Sequence, residues 1–398
     1  MTKRDFYCIL EQIAVEKPQL SKEIEELALL VNASDSIEKA VTDYLKNHPA
    51  LAECFRDHPE YVQKPDGKVF QVHEPYSNEI RQRMKLAEHN EHYRNWVNAI
   101  KAVPTYTLPV PNVDGKFIQR AKDIWHQNIY GNEEVLQTVL RHSIEYSRTG
   151  KTMPILLIGS PGVGKTLVAK NYGSILNLPS SFISGPSASV GRGLSGAPNL
   201  YVGAGVGAIV QSMIDKNAGN PVICIDEVEK TSVGHSRSLD FQNELLAVLD
   251  ESNVAWYDNF LEITVDASHI PFIFTANEKD LISSPLLDRM EVIRMEEPSL
   301  EMLHSITKEF TLPKALKAYD TEQIEFRDRE LDMLVDKLWD SGNHSCRAYQ
   351  KAIEVLVSSA FLTVIEKNQS VRITEDDIYH TVAMCSHNRR TKVIVFST

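Results

Sequence analysis

The run Gly159-Ser-Pro-Gly-Val-Gly164-Lys165-Thr166 sets glycines, a lysine and a hydroxyl at the spacing G-x-x-x-x-G-K-[ST]. Glycines at these places let the backbone curl so that its N–H groups point inward, which suits phosphate oxygens. The run follows the apolar stretch Ile155–Ile158 and precedes a helix-compatible stretch from Leu167. A helix N-terminus there adds a favourable dipole for an anion. The candidate cradle is Gly159, Pro161, Gly162, Val163, Gly164, Lys165, Thr166 and Leu167. Lys165 is expected to reach the β- and γ-phosphates of a nucleoside triphosphate, and the Thr166 hydroxyl to ligate Mg²⁺.

About 60 residues downstream, Val222-Ile-Cys-Ile-Asp226-Glu227 reads as a buried strand with two carboxylates at its C-terminal tip. Ligands bind at that edge of an open α/β sheet. Asp226 is expected in the Mg²⁺ shell, and Glu227 as the base that orients and polarises the attacking water.

Such residues need a sheet to hold them. Short apolar runs at Pro154–Ile158, Ser181–Ser184, Val222–Ile225, Pro271–Thr275 and Glu291–Met295 alternate with helical stretches. That alternation predicts a parallel α/β sheet covered on both faces. After Pro298 the strand patterns end. Leu331, Leu334, Val335, Leu338 and Trp339 share one helical face, and Ala348–Val364 forms a second helix, which together predict a small helical domain.

Before the sheet, Leu20, Ile24, Leu27, Ala28 and Val31 fall on one helical face, as do Ile37, Val41, Tyr44 and Leu45. Pro65-Asp66-Gly67 and Pro75 read as a connector. A charged helical stretch follows, from about Asn78 to Ala102, with His89 and His92 one turn apart. Two histidines are too few for a metal site, so they read as a solvated face. Pro104, Pro109 and Pro111 then break the chain. The domains expected are a helical N-terminal region (1–77), a helical and proline-rich connector (78–116), an α/β domain carrying the phosphate loop (117–298), a small helical domain (299–385) and a tail (386–398).

The chain has 398 residues, 42% hydrophobic and 24% charged, with 42 Lys+Arg against 54 Asp+Glu for a net charge of −12. Such a composition excludes a mainly disordered chain. Its acidity argues against non-specific binding to nucleic acid or anionic membrane. The five cysteines are scattered with no CxxC pair, which argues against a disulfide framework or a zinc site. The N-terminus does not read as a signal peptide, and no window approaches the ~20 apolar residues of a membrane span. A cytoplasmic protein is expected.

Together these motifs resemble the AAA+ superfamily, and within it the Lon family. Several stretches carry the likeness: Tyr93-Arg-Asn-Trp-Val-Asn-Ala-Ile-Lys-Ala-Val-Pro104, Tyr130-Gly131, Tyr201-Val-Gly-Ala-Gly-Val-Gly207, Asn220 to Lys230, Asn243 to Asp250, Thr275-Ala-Asn277, Pro285 to Ile293, Leu312-Pro-Lys314 and Arg347. The resemblance runs from about residue 90 to 385. It implies an AAA+ P-loop parallel sheet with a helical lid domain, preceded by a mainly helical N-terminal region, and ATP with Mg²⁺ as ligands.

Residue by residue, the resemblance places Tyr130 and Gly131 near the adenine. Asn277 becomes a polar sensor that helps position the water, since an amide holds a water without adding charge. Arg289 becomes a finger reaching the γ-phosphate of a neighbouring subunit. Arg347 contacts the phosphates from the lid. Tyr201 and Val202 become an aromatic–aliphatic pair in a ring's channel, where an aromatic ring grips most side chains. Gly203, Gly205 and Gly207 would let that loop move. The preceding Val190-Gly-Arg-Gly-Leu-Ser-Gly-Ala-Pro198 departs from the charged run usual in Lon, and Asn343-His-Ser-Cys346 from the glycine-rich turn before the lid arginine.

Lon proteases continue into a Ser–Lys peptidase, and only Ser386–Thr398 remains here beyond the lid. An ATPase without peptidase activity is therefore expected, with any cutting done by a separate protease or effector chain. In the tail, Arg389, Arg390 and Lys392 precede Val393-Ile-Val-Phe396, which can add to a partner's sheet or cover the protein's own surface. Two functions stay open: a protein remodeller working as a homo-oligomeric ring, expected to be a hexamer, on a polypeptide substrate; or a nucleotide-gated oligomeric switch that recruits an effector. A nucleic-acid motor fits the acidic charge poorly.

Overall fold

The chain divides into two compact units, Met1–Val69 and Phe70–Thr398. The computed structural model describes residues 20–33, 91–190, 192–198, 203–232, 236–319 and 323–387, with scattered positions between 10 and 85. His89, the connector prolines Pro65 and Pro75, the pair Tyr201–Val202 and the tail 389–396 lie outside the described residues.

In the first unit, helix α1 (Ser21–Ala33) buries the face that the spacing predicts. Leu20, Ile24, Leu27 and Val31 share a core with Val41, Leu45 and Leu51. The 3–4 residue spacing makes this possible, because it sets those side chains one above another on a single side of the helix.

In the second unit, α2 (Glu91–Ala102), α3 (Gly115–His126) and α4 (Glu133–Thr149) precede β1 (Ile155–Ile158). Then come α5 (Lys165–Leu176), β2 (Ser180–Ser184), α6 (Gly185–Val190), α7 (Ala208–Lys216) and β3 (Val222–Asp226). A 3₁₀ turn over Val228–Ser232 leads to α8 (Ser236–Val248), the short strands β4 (Trp256–Asp258) and β5 (Ile263–Val265), and β6 (Phe272–Ala276). Helix α9 (Ser284–Leu287) and β7 (Glu291–Arg294) complete the sheet region.

Strands β1, β2, β3, β6 and β7 form one sheet in the order β2-β3-β6-β1-β7, with every pairing parallel. The central strands are buried along their length: all four residues of β1, all five of β6 and the first four of β3. Helices covering both faces produce this, and they explain why the strands read as unbroken apolar runs instead of alternating ones. One face packs with Trp96, Ile209, Phe241 and Leu286, the other with Trp125, Leu136, Tyr172 and Ile175.

The segment before the sheet is more deeply engaged than its charge suggested. On α2, Trp96, Val97 and Ile100 enter the core, and Trp96 Nε1 donates to the Leu261 carbonyl at 3.0 Å. Downstream, the Asn220 side chain exchanges two hydrogen bonds with the Leu108 backbone, at 2.6 and 3.0 Å. Between Asn253 and Val265, a stretch unassigned from sequence, β4 and β5 form an antiparallel ribbon.

The last part is helical: α10 (Leu300–Ile306), a π turn at Thr307–Thr311, α11 (Leu312–Ala318), α12 (Asp328–Asp340), α13 (Cys346–Lys367) and α14 (Glu375–His387). These helices share their own core around Leu334, Leu338, Tyr349, Ile353 and Leu356. Strands do not stop at Pro298. Two-residue strands β8 (Ile324–Glu325) and β9 (Val371–Arg372) pair in parallel and join the connections that lead into α12 and α14. Nor does the absence of a long apolar window hold: α13 is by length and composition apolar enough to cross a membrane. Here its Tyr349, Ile353, Leu356, Val357 and Val364 face the core of the helical group, while Leu362 and Ile365 are exposed.

Candidate nucleotide site

The parallel register decides what meets at the C-terminal edge of the sheet. Ile158 pairs with Ala276, and Ile225 with Phe274. The loop after β1, the carboxylates after β3 and Asn277 after β6 therefore open from the same edge. Such an edge is where open α/β sheets bind ligands.

After β1 the chain turns through Gly159, whose N–H donates to the Ala276 carbonyl at 3.2 Å. A Cβ at Gly159 would sit 2.3 Å from the Met295 carbonyl oxygen, so only glycine fits there. Gly162 and Gly164 adopt φ of +89° and +103°, which side chains rarely tolerate. Helix α5 starts at Lys165 directly beyond them, and Thr166 and Leu167 are exposed at its first turn.

Lys165 is only 8% exposed, and its ammonium donates to three oxygens. They are the carbonyls of Gly159 (2.7 Å) and Ser160 (3.1 Å) and Oδ1 of Asn277 (3.0 Å). Burial holds its pKa below the ordinary lysine range, against the opposing pull of Asp226 and Glu229. A lysine desolvated in this way gains strongly from an added anion.

At the tip of β3, Asp226 Oδ1 accepts a hydrogen bond from the Thr275 hydroxyl. The same hydroxyl oxygen accepts from the Glu227 N–H at 3.2 Å. Thr275, absent from the sequence-derived set, thus positions both acids. Glu227 has a left-handed backbone, φ +57°, and its Oε1 pairs with Lys230 at 2.5 Å. Two residues on, Glu229 is 2% exposed, and its Oε1 accepts from both the backbone N–H (3.1 Å) and the side-chain amide (2.8 Å) of Asn277.

Beside the loop lies a cleft of about 510 Å³, formed between the sheet region and the helical group. Tyr130, Val163, Gly164, Leu167 and Met295 line it from one side, and Phe310, Lys314, Tyr319 and Gln350 from the other. Gly131 stands apart from this lining; its carbonyl accepts from Trp125 Nε1 at 3.1 Å, and its φ is +67°. Arg347 lies in the first turn of α13, where a Cβ at Gly162 would come within 3.2 Å of Arg347 Cβ and 3.1 Å of Ser345 Cβ. The first turn of α13 thereby abuts the loop, close enough for the Arg347 charge to act on Lys165.

Arg289 is not brought to this group within the subunit. Its guanidinium donates to the Pro285 carbonyl at 3.1 Å, inside its own segment. Among the described residues no cluster of three or more His, Cys, Asp or Glu could hold a metal by itself. Asp226 and Thr166 suit a cation that also takes phosphate oxygens, as Mg²⁺ does. The loop glycines, the buried ammonium and the adjoining cleft fit a Mg²⁺–nucleoside triphosphate.

The loop that carries Tyr201 and Val202 has a fixed neck. Ala197 and Gly205 form an antiparallel bridge, with Ala197 N–H donating to Gly205 O at 3.1 Å. Buried Asp258 accepts from the N–H groups of Gly207 (2.8 Å), Phe260 (3.0 Å) and Leu261 (2.9 Å). Burial nevertheless pushes its carboxyl above the usual range. Glu244 on α8 accepts from Leu194 N–H at 2.8 Å and from the Ser195 hydroxyl.

Of the three glycines expected to give this loop mobility, only Gly203 has open space around it. Gly207 serves close packing: a Cβ there would lie 2.1 Å from the Leu194 carbonyl oxygen and 2.5 Å from Gly196 N. Gly207→Ala should therefore destabilise the protein by roughly 1–3 kcal/mol, as overpacking does. It should also open the neck to protease. A variant with the wild-type melting temperature and cleavage pattern contradicts this packing role.

Residues 155–297 match the family model described as AAA, the ATPase family associated with various cellular activities. The chain is similar to a Lon protease of Clostridium acetobutylicum, 27% identical over 376 residues, covering 93% of this chain and 44% of that protein. It is also similar to the mitochondrial Lon protease homolog of Schizosaccharomyces pombe, 32% identical over 317 residues, covering 78% and 27%. With a Lon protease of Chlamydia pneumoniae it shares 28% identity over 385 residues, covering 94% and 43%. The chain thus spans less than half the length of each of these three relatives. The loop after β1, the acids after β3 and the amide after β6 all fall inside the matched family region, and the likeness to the relatives continues into the C-terminal helical group: this chain carries an AAA-family ATPase domain related to the ATPase module of Lon proteases.

Proposed function

We propose that the chain hydrolyses ATP and uses the cycle to remodel polypeptides as a homo-oligomeric ring, a hexamer. The observation that carries the ATPase reading is the convergence of Lys165, Asp226, Glu227 and Asn277 on one sheet edge beside the 510 Å³ cleft. The base would lie in that cleft against Tyr130, with the phosphates on the loop. Lys165 and the N–H groups at the start of α5 would hold the β- and γ-phosphates. Thr166 and Asp226 would hold Mg²⁺, which when bound neutralises charge on the phosphates.

Glu227 would take a proton from water as the water oxygen bonds to the γ-phosphorus and the bond to the β–γ bridging oxygen breaks. Asn277 would hold that water. Arg347 would add positive charge from the lid, and Arg289 would add it to a neighbouring subunit's site. An arginine supplied by another chain makes turnover depend on assembly and is worth about 10³–10⁵ in rate where measured.

Remodelling is supported by the contacts that hold Ala197, Gly205 and Gly207, the described residues flanking Tyr201 and Val202 in the sequence. A loop anchored by buried Asp258 and by Glu244 can transmit a displacement, whereas an unanchored one dissipates it. The test is ATP-dependent unfolding of a tagged protein by the full chain. Tyr201→Ala should abolish unfolding and retain most of the ATP turnover. Unfolding that persists in this variant sinks the threading role.

One observation favours the second reading, a nucleotide-gated switch recruiting an effector. Glu227 Oε1 is paired with Lys230, so one of its two oxygens is already engaged. A switch with a restrained base turns over slowly. In the same assay it would show no unfolding, while ATP would change its oligomeric state.

A further inference from the structure

Asn277 can perform its task only if its amide is turned the right way. A side-chain amide has a donor end and an acceptor end of nearly equal size, and contacts alone must choose between them. Here the choice is made by two opposite charges. Nδ2 faces the Glu229 carboxylate at 2.8 Å, and Oδ1 faces the Lys165 ammonium at 3.0 Å. Flipping the amide would set its N–H groups against the ammonium and its oxygen against the carboxylate. Both contacts would turn repulsive, in a place where low dielectric magnifies the difference.

Glu229 is itself well fixed. It sits in the 3₁₀ turn after β3, it is 2% exposed, and its Oε1 also receives the Asn277 backbone N–H. Its Oε2 is buried and has no hydrogen-bond partner. A buried carboxylate with a partnerless oxygen is costly to keep. Glutamine could still accept the Asn277 N–H groups through its own oxygen, so holding the segment together does not by itself require a charge.

We infer that Glu229 is a positioning residue, whose carboxylate holds Asn277 so that Oδ1 faces the phosphate end of the site. Asn277 then acts as a hydrogen-bond acceptor toward the water: its Oδ1 accepts a hydrogen bond from one O–H, which stays intact, while Glu227 takes the proton of the other. Two acceptors on one water leave an oxygen lone pair directed at phosphorus. This inference rests on the ATPase reading above and assigns a role to a residue that does not itself touch the nucleotide.

The experiment measures steady-state ATP turnover and calorimetric ATP affinity on the full chain. Glu229→Gln should lower kcat by about ten- to a hundredfold, the range found when supporting groups are removed. ATP affinity should stay within about twofold, because the phosphate contacts remain. Combined with Asn277→Ala, the Glu229→Gln change should cost nothing further, since its effect runs through that amide. Wild-type kcat in Glu229→Gln, or losses that multiply in the double variant, overturns the inference.

Should Glu229→Gln fail to fold, the charge exchange still decides. Asn277→Asp alone sets carboxylate against carboxylate, and adding Glu229→Gln should restore both stability and part of the turnover. A double variant no better than Asn277→Asp overturns the inference as well. The underlying reading is tested separately: no ATP turnover by the wild-type chain, or full turnover in Glu227→Gln, removes the ATPase assignment itself.

Discussion

Glu227→Gln is expected to bind ATP with near wild-type affinity and to lose about 10²–10⁴ in turnover, the range a positioned general base supplies. The substitution keeps the side chain's length and removes its basicity. The backbone stays as it is, because the left-handed conformation at this position is imposed by its surroundings. The N–H is held by the Thr275 hydroxyl, and the following N–H groups start the 3₁₀ turn. Glu227→Gln should therefore leave the fold intact. ATP should then persist on the protein and keep any ATP-dependent assembly together. Single-turnover phosphate release with affinity measured in parallel checks both halves. Turnover at the wild-type rate would falsify Glu227 as the base, and weakened affinity would place it among the binding groups. Used as bait, the trapped variant also retains whatever polypeptide the assembly engages.

Lys165→Ala should remove nucleotide binding. The lysine's charge is desolvated, and its three hydrogen bonds go to neutral oxygens only. A triphosphate supplies the counter-charge that these oxygens lack. Truncating one partner of such a buried, hydrogen-bonded charge pair costs about 2–5 kcal/mol, or roughly 30- to 5,000-fold in Kd. Thermal melts give a second readout. At 100 times Kd, ATP stabilises a binding protein by about 2.7 kcal/mol. The wild-type melting temperature should rise with ATP, and that of Lys165→Ala should not. A variant still stabilised by ATP at the same concentration shows that the loop backbone alone suffices.

How much of this was legible beforehand differs from part to part. The phosphate loop was readable because its residues are contiguous. The glycines at 162 and 164 take positive φ locally, and the helix starts where the loop ends. The three central strands β1, β3 and β6 were readable because strands buried on both faces are apolar throughout, whereas the edge strands β2 and β7 are part exposed and mix polar with apolar residues. The β4–β5 ribbon was not, because each strand is three residues long and alternates buried with exposed. The role of α2 was obscured by charge: its polar residues dominate the composition, but three apolar ones, Trp96, Val97 and Ile100, reach the core.

The glycines of the 203–207 segment show the limit most clearly. Sequence can register a glycine, but it cannot distinguish freedom from tight packing. Gly203 has space, and Gly207 has a carbonyl oxygen where its Cβ would be. The supporting acids were hidden for a related reason. Glu229 and Asn277 are 48 residues apart, Gly207 and Asp258 are 51 apart, and no periodicity links either pair.

By itself, then, the sequence determined the chemistry available here: a phosphate loop, two adjacent acids and an amide, each at the end of an apolar run. Those features are local, set by backbone freedom at glycine and by the burial that apolar side chains demand. The tertiary structure alone decided which of them meet. Parallel pairing of β1, β3 and β6 in register brings their three tips to one edge. Only there does Thr275 hold Asp226, and only there does Glu229 turn the amide of Asn277 toward Lys165.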